Sequence, residues 1–161
     1  MDKALKLKGL IDEDFLQYKL PSMFIITSTC DFKCEKEAHC KGMCQNSELV
    51  KADTVDVNDK AIVDRYLNNN ITKAIVFGGL EPFDQFEELV KLISLFRQYT
   101  NDIIIVYTGY YKQEIEDKLK LLKQFDNIII KYGRYIPNSK SKYDDVLGIT
   151  LASENQYAEK L

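Results

Sequence analysis

Short continuous apolar runs alternate along this chain with stretches in which apolar side chains recur every three or four positions. Ser22-Met23-Phe24-Ile25-Ile26-Thr27 follows Pro21 and reads as a buried strand. Residues 72–77, 103–107 and 128–130 carry the same signature; the first of these ends at Gly78-Gly79 and the second closes on Thr108-Gly109. Helical spacing fills the intervals. Asn58 is a candidate N-cap for a helix over 58–67, with Ala61, Ile62 and Tyr66 on one face and Asn68-Asn69-Asn70 as its stop. Pro82 opens a second helix through Phe86, Leu89, Val90, Ile93 and Phe96. A charged amphipathic helix turns Ile115, Leu119 and Leu122 inward. Residues 3–20 read as a short strand or extended piece followed by an irregular or helical stretch. From Gly133 the pattern weakens, and the polar tail 135–161 offers one short strand at 147–151.

Continuous apolar strands alternating with helices predict an α/β fold, a mainly parallel sheet covered by helices. The chain is expected to form a single domain over 1–161, with a cysteine-bearing loop at 28–50. Ligands of such folds bind at the C-terminal ends of the strands. The cysteine loop, Gly78-Gly79-Leu80-Glu81-Pro82 and Tyr107-Thr108-Gly109-Tyr110 each follow a predicted strand, so they converge on one candidate site.

Composition narrows the function. A net charge of −3 without a basic block argues against nucleic acid as a partner. No long uncharged apolar run suggests a membrane span, and the charged N-terminus lacks the apolar core of a secretory signal, so the expected location is the cytoplasm. There, four cysteines confined to positions 30–44 indicate a metal or redox site more than disulfides. The loop reads Cys30-Asp31-Phe32-Lys33-Cys34-Glu35-Lys36-Glu37-Ala38-His39-Cys40-Lys41-Gly42-Met43-Cys44-Gln45-Asn46. From spacing alone, Cys30/Cys34 and Cys40/Cys44 suit a zinc site as readily as an iron–sulfur cluster, with His39 as an additional zinc donor. The blander assignments make His39 a surface loop residue, Phe32 an anchor or shield for the loop, and the Gly-Gly segment an ordinary strand-to-helix turn.

The flanking motifs shift that balance. A cysteine loop directly after a strand, followed one strand later by Gly-Gly-x-Glu-Pro, resembles the radical S-adenosylmethionine superfamily. The resemblance is closest to the activating proteins of anaerobic ribonucleotide reductase and extends from about Met23 to Gln156. Cys30 and Cys34 match the first two cysteines of the family's Cys-x3-Cys-x2-Cys motif, and Cys44-Gln45-Asn46 matches the third with its Asn46. The second gap is enlarged and contains Cys40, so Cys40 competes with Cys34 as second ligand. Tyr107-Thr108-Gly109-Tyr110, Lys131-Tyr132-Gly133-Arg134-Tyr135 and Ser153-Glu154-Asn155-Gln156 resemble later family segments in the family's order. Arg134 is read as a surface charge. Met43 stands where the family often has an aromatic that contacts adenine.

The resemblance implies an open, partial (β/α) barrel of radical-enzyme type. It implies a [4Fe–4S] cluster on Cys30, Cys34 and Cys44 and S-adenosylmethionine bordered by Gly78, Gly79, Glu81, Thr108 and Asn46. The implied activity is reductive cleavage of S-adenosylmethionine and formation of a glycyl radical on a large anaerobic ribonucleotide reductase, with a flavodoxin or ferredoxin type electron donor. The short chain points the same way, having little material to close over a small substrate. Two other classes stay open: a radical enzyme acting on another substrate such as a peptide, and a non-enzymatic zinc or iron–sulfur binding module.

Overall fold

The computed structural model describes residues 3–28 and 53–161. Strands β1 (Lys6–Asp14), β2 (Ser22–Thr27) and β3 (Val55–Asp56) precede helix α1 (Asp59–Leu67). Then come β4 (Ala74–Gly79), α2 (Phe86–Arg97), β5 (Ile103–Tyr107), α3 (Glu116–Leu122) and β6 (Ile128–Tyr132). Strands β7 (Lys142–Asp144), β8 (Ile149–Leu151) and β9 (Tyr157–Lys160) complete the order.

One open sheet runs β3-β1-β2-β4-β5-β6-β9. Its centre, β2-β4-β5-β6, is parallel, whereas β1, β3 and β9 each pair antiparallel with their neighbours. The sheet is therefore mixed, parallel where the continuous apolar runs predict it. Successive parallel strands step in one direction, so right-handed crossovers deliver α1, α2 and α3 to the same face. On that face Ile62, Val63, Tyr66, Leu89, Ile93, Phe96, Leu119 and Leu122 pack over Ile25, Phe77, Val106 and Ile130.

Among the described residues no helix covers the second face, contrary to expectation. Tyr18, from the segment after β1, and Leu147 and Leu151, from the β7–β8 hairpin, pack there against Val76, Ile105 and Ile129. Strand β8 falls within the short strand expected at 147–151, whereas β7 escapes the periodicity because it is three residues long and buries only Asp144. Asp144 docks the hairpin. Its Oδ1 accepts from Leu147 N (3.0 Å) and its Oδ2 from Ala158 N (3.0 Å), so the carboxylate caps an outward amide of edge strand β9. Asp144→Ala would strand two amides and is expected to cost about 2–4 kcal/mol, with Asp144→Asn recovering part of it, as read from urea unfolding midpoints.

Two helix assignments differ from the expectation. In α1 the inward positions are Ile62, Val63 and Tyr66, while Ala61 is exposed; Asn58 does cap it, accepting from Lys60 N and Ala61 N. Pro82 opens a 3-10 turn, Pro82–Gln85, before α2 begins at Phe86, because the Glu81 side chain caps Phe83 N and holds the turn tight. Among the described residues no helix is long and apolar enough to cross a membrane.

Candidate functional site

Because β2, β4, β5 and β6 run parallel, their C-terminal ends share one sheet edge. Thr27 ends β2 in register with Gly79. Its Oγ1 donates to Gly78 O (2.9 Å) and its carbonyl accepts from Leu80 N (3.3 Å). The chain therefore enters the cysteine segment immediately beside the glycine turn. Cys30, Cys34, Cys40, Cys44 and Asn46, with Phe32, His39 and Met43, lie outside the described residues.

Gly78 and Gly79 differ in role. Gly79 has φ +85°, a backbone that glycine adopts without strain. Gly78 is a close-packing position, since a Cβ there would stand 2.9 Å from the Phe24 ring and 3.5 Å from Tyr107 Cβ. Gly79, Leu80, Glu81, Thr108 and Gly109 line a cavity of about 360 Å³. Gly78 does not line it and instead backs Phe24, which does.

Glu81 is 5% exposed. Its Oε1 accepts from Gly109 N (2.8 Å), its Oε2 from Phe83 N (3.0 Å), and Thr108 Oγ1 stands 3.0 Å from both oxygens. Tyr110 N donates to Thr108 Oγ1 (3.0 Å), which orients the hydroxyl proton toward Glu81. Burial pushes the Glu81 carboxyl up to about 7, against the downward pull of Gly109 N, Phe83 N and Thr108; the nearby Asp84 adds to the rise.

The far wall comes from β6 and the residues after it. Lys131 is in register with Tyr107, and its Nζ lies 5.3 Å from the Tyr107 ring centroid. Arg134 is 6% exposed and is no surface charge. Its Nη1 donates to Glu114 Oε1 (2.7 Å) and Gly109 O (3.4 Å), and the guanidinium lies over the Tyr111 ring at 4.5 Å. Ser153, Asn155 and Gln156 clamp this turn. Asn155 Nδ2 donates to Arg134 O (2.8 Å) and Gln156 Nε2 to Gly133 O (3.1 Å). The late motif segments thus lock the edge, and Gln156 reaches the cavity wall.

Tyr107 lines the cavity, as expected of the segment that it opens; sequence reasoning missed Phe24 and Lys131 as cavity residues, along with Leu16 and Gln17 from the segment after β1. The signal was available in strand alternation. Phe24, Tyr107 and Lys131 lie on the face opposite Ile25, Val106 and Ile130, and the turns at 79–81 and 108–109 close over that face. Leu16 and Gln17 carry no such signal. They are placed by Asp14, whose Oδ1 accepts from both backbone amides (2.9 Å each), and by the Tyr107 hydroxyl, which donates to Gln17 O.

A family described as "4Fe-4S single cluster domain" matches residues 22–157, from the start of β2 to the first residue of β9. No curated protein and no solved structure matches this chain.

Proposed function

The chain belongs to the 4Fe-4S single cluster domain family, and from that premise we propose that it is a radical enzyme that cleaves S-adenosylmethionine reductively and installs a glycyl radical on a large anaerobic ribonucleotide reductase. The observation that carries this reading is the cavity of about 360 Å³ at the C-terminal ends of the parallel strands, bordered by the positive-φ Gly79 and adjoining the end of β2 where the cysteine segment begins. Four thiols in that segment are a donor set suited to iron–sulfur ligation. We assign Cys30, Cys34 and Cys44 as ligands, leaving one iron for S-adenosylmethionine. When bound, the cluster would supply one electron at low potential, breaking a sulfonium carbon–sulfur bond to give methionine and a 5′-deoxyadenosyl radical.

The chain's own residues bind and shield. The Gly79–Leu80 backbone approaches the ligand closely, as only a side-chain-free position permits. Leu16, Phe24 and Tyr107 offer apolar and aromatic surface for a nucleoside, and Lys131 and Gln156 offer polar contacts on the opposite wall. The volume is near the low end for small-molecule pockets, about 300–1,000 Å³, so one ligand fills it. The abstracted hydrogen then has to come from a segment presented by a partner, which favours a macromolecular substrate. The open sheet is consistent with the partial barrel of radical enzymes, and a flavodoxin or ferredoxin would deliver the electron.

Anaerobically reconstituted, reduced protein is expected to release 5′-deoxyadenosine from S-adenosylmethionine. With a candidate reductase it should also give a glycyl doublet by electron spin resonance, in proportion to the 5′-deoxyadenosine released. Cleavage without a glycyl signal on any such partner would turn the assignment to a radical enzyme with another substrate, such as a peptide. A cluster that never cleaves S-adenosylmethionine would leave a non-enzymatic iron–sulfur module.

A further inference from the structure

Glu81 invites assignment as a ligand contact because it borders the cavity. Its hydrogen bonds point elsewhere. Both carboxylate oxygens are taken by donors of the protein: Phe83 N from the 3-10 turn, Gly109 N from the turn after β5, and Thr108 Oγ1 between them. Two of these donors are backbone amides, which cannot accept. Thr108 Oγ1 already accepts from Tyr110 N and would have to surrender its own proton donation to receive one from Glu81. The surroundings are therefore complementary to a carboxylate and not to a carboxylic acid.

We propose that Glu81 is a positioning residue: its ionised carboxylate staples the turn after β4 to the turn after β5, and this staple fixes the Gly79–Leu80 wall of the cavity in its ligand-competent shape. The structural part stands on the geometry alone, and its consequence for binding rests on the reading of the cavity as the S-adenosylmethionine site. Protonation forces at least one inter-turn bond to break, so the site loosens.

Burial brings this titration into the neutral range, with a smaller push from the neighbouring charge. Asp84 on the 3-10 turn disfavours ionisation and is itself held by the Tyr110 hydroxyl (2.7 Å); Lys118 of α3 donates to Phe83 O (3.3 Å) behind the staple; Lys131 faces the cavity from β6; Thr27 at the end of β2 is neutral. With a midpoint of about 7, the carboxylate fraction falls roughly tenfold between pH 8 and pH 6.

Two readouts should move in opposite directions. Global stability gains from acidification, because a carboxyl whose midpoint rises from 4.5 to about 7 on folding stabilises the folded state below 4.5, and that contribution is lost as pH rises through 7. Ligand affinity instead weakens on acidification, because the competent site needs the carboxylate. A residue that only braced the fold would move both the same way.

The test uses cluster-loaded protein under anaerobic conditions. S-adenosylmethionine affinity is measured by equilibrium dialysis from pH 6 to 8.5 in the wild type and in Glu81→Gln. The ligand's own titration is common to both, so it cancels in their ratio. The wild type is expected to lose about tenfold more affinity than Glu81→Gln between pH 8 and pH 6. In parallel, the Glu81 carboxyl carbon and the Gly109 amide are followed by nuclear magnetic resonance in the absence of S-adenosylmethionine. Both should titrate together near pH 7. If Glu81→Gln does not fold, Thr108→Val replaces it: losing one donor should raise the common midpoint and weaken binding at pH 7. A Gly109 amide insensitive to pH between 6 and 8.5 overturns the staple. Co-titration of Glu81 and Gly109 in a protein that binds no S-adenosylmethionine leaves the staple standing and overturns the function proposed for the cavity. Co-titration with parallel affinity curves for wild type and Glu81→Gln overturns the positioning role.

Discussion

Single Cys→Ser variants, reconstituted anaerobically with iron and sulfide, are expected to separate into two groups. Cys30→Ser, Cys34→Ser and Cys44→Ser should lose essentially all of the oxygen-sensitive visible absorbance of a [4Fe–4S] cluster, and Cys40→Ser should retain it. The expected effect is large because ligation needs a thiolate, and a serine hydroxyl neither ionises near neutral pH nor matches the softness of iron–sulfur chemistry. Cys30 follows two residues after Ser28, whose amide donates to Lys6 O (3.1 Å) beside β1. The Cys-x3-Cys spacing next to the strand matches the motif of the family that the chain resembles, and the experiment sets that pair against one formed with Cys40. Loss of the cluster in Cys40→Ser with retention in Cys34→Ser would make Cys40 the second ligand. Loss in all four would mean a cluster closed by four thiolates. Such a centre transfers electrons and offers S-adenosylmethionine no iron, and the radical proposal would fall with it.

The parallel centre of the fold could be read from the sequence because β4, β5 and β6 are buried on both faces and β2 is buried on one and half-buried on the other. Burial on both sides writes a continuous apolar run that survives without knowledge of neighbours, as in Ile103 to Tyr107 and in the run from Ala74. The edges could not be read the same way. Strand β9 contributes one buried side chain, Ala158, and is held by pairing with β6 and by Asp144, both long-range partners. Arg134 was misread for a related reason. A charged residue after Gly133 looks solvated until Glu114, twenty positions earlier, arrives as its counter-ion and Tyr111 as its stacking surface. At the site, Gly79, Glu81 and Thr108 were identified because a glycine turn, a capping acid and a strand terminus leave local marks. The cavity's opposite wall is marked only by strand alternation, which sets Lys131 on the face away from Ile130, and pairing with β5 then brings it beside Tyr107.

Gly79→Val is the variant expected to damage S-adenosylmethionine binding most while sparing the cluster. Gly79 has φ +85°, and a β-branched residue adopts that backbone only under strain of roughly 1–2 kcal/mol or more. The strain has few outlets. Upstream, Gly78 is held by Thr27 Oγ1 and by contact with the Phe24 ring. Downstream, Leu80 N is bonded to Thr27 O, and Glu81 is bound to Phe83 N, Thr108 and Gly109 N. The turn can relax only by moving the Gly79–Leu80 backbone that forms the cavity wall, and the valine side chain adds bulk beside it. A misfit of 2–3 kcal/mol at the wall corresponds to an affinity loss of about thirty- to a hundred-and-fifty-fold. Iron content should be unchanged, because the thiol ligands lie outside this turn in sequence. Gly78→Ala provides a graded comparison. Its added Cβ would meet the end of the Phe24 ring at 2.9 Å, and that side chain can swing aside, so the loss should be smaller and should come from Phe24 entering the cavity. Dialysis against S-adenosylmethionine, with iron determined on the same samples, measures both variants. An unchanged affinity in folded, cluster-loaded Gly79→Val would show that the ligand does not use this cavity.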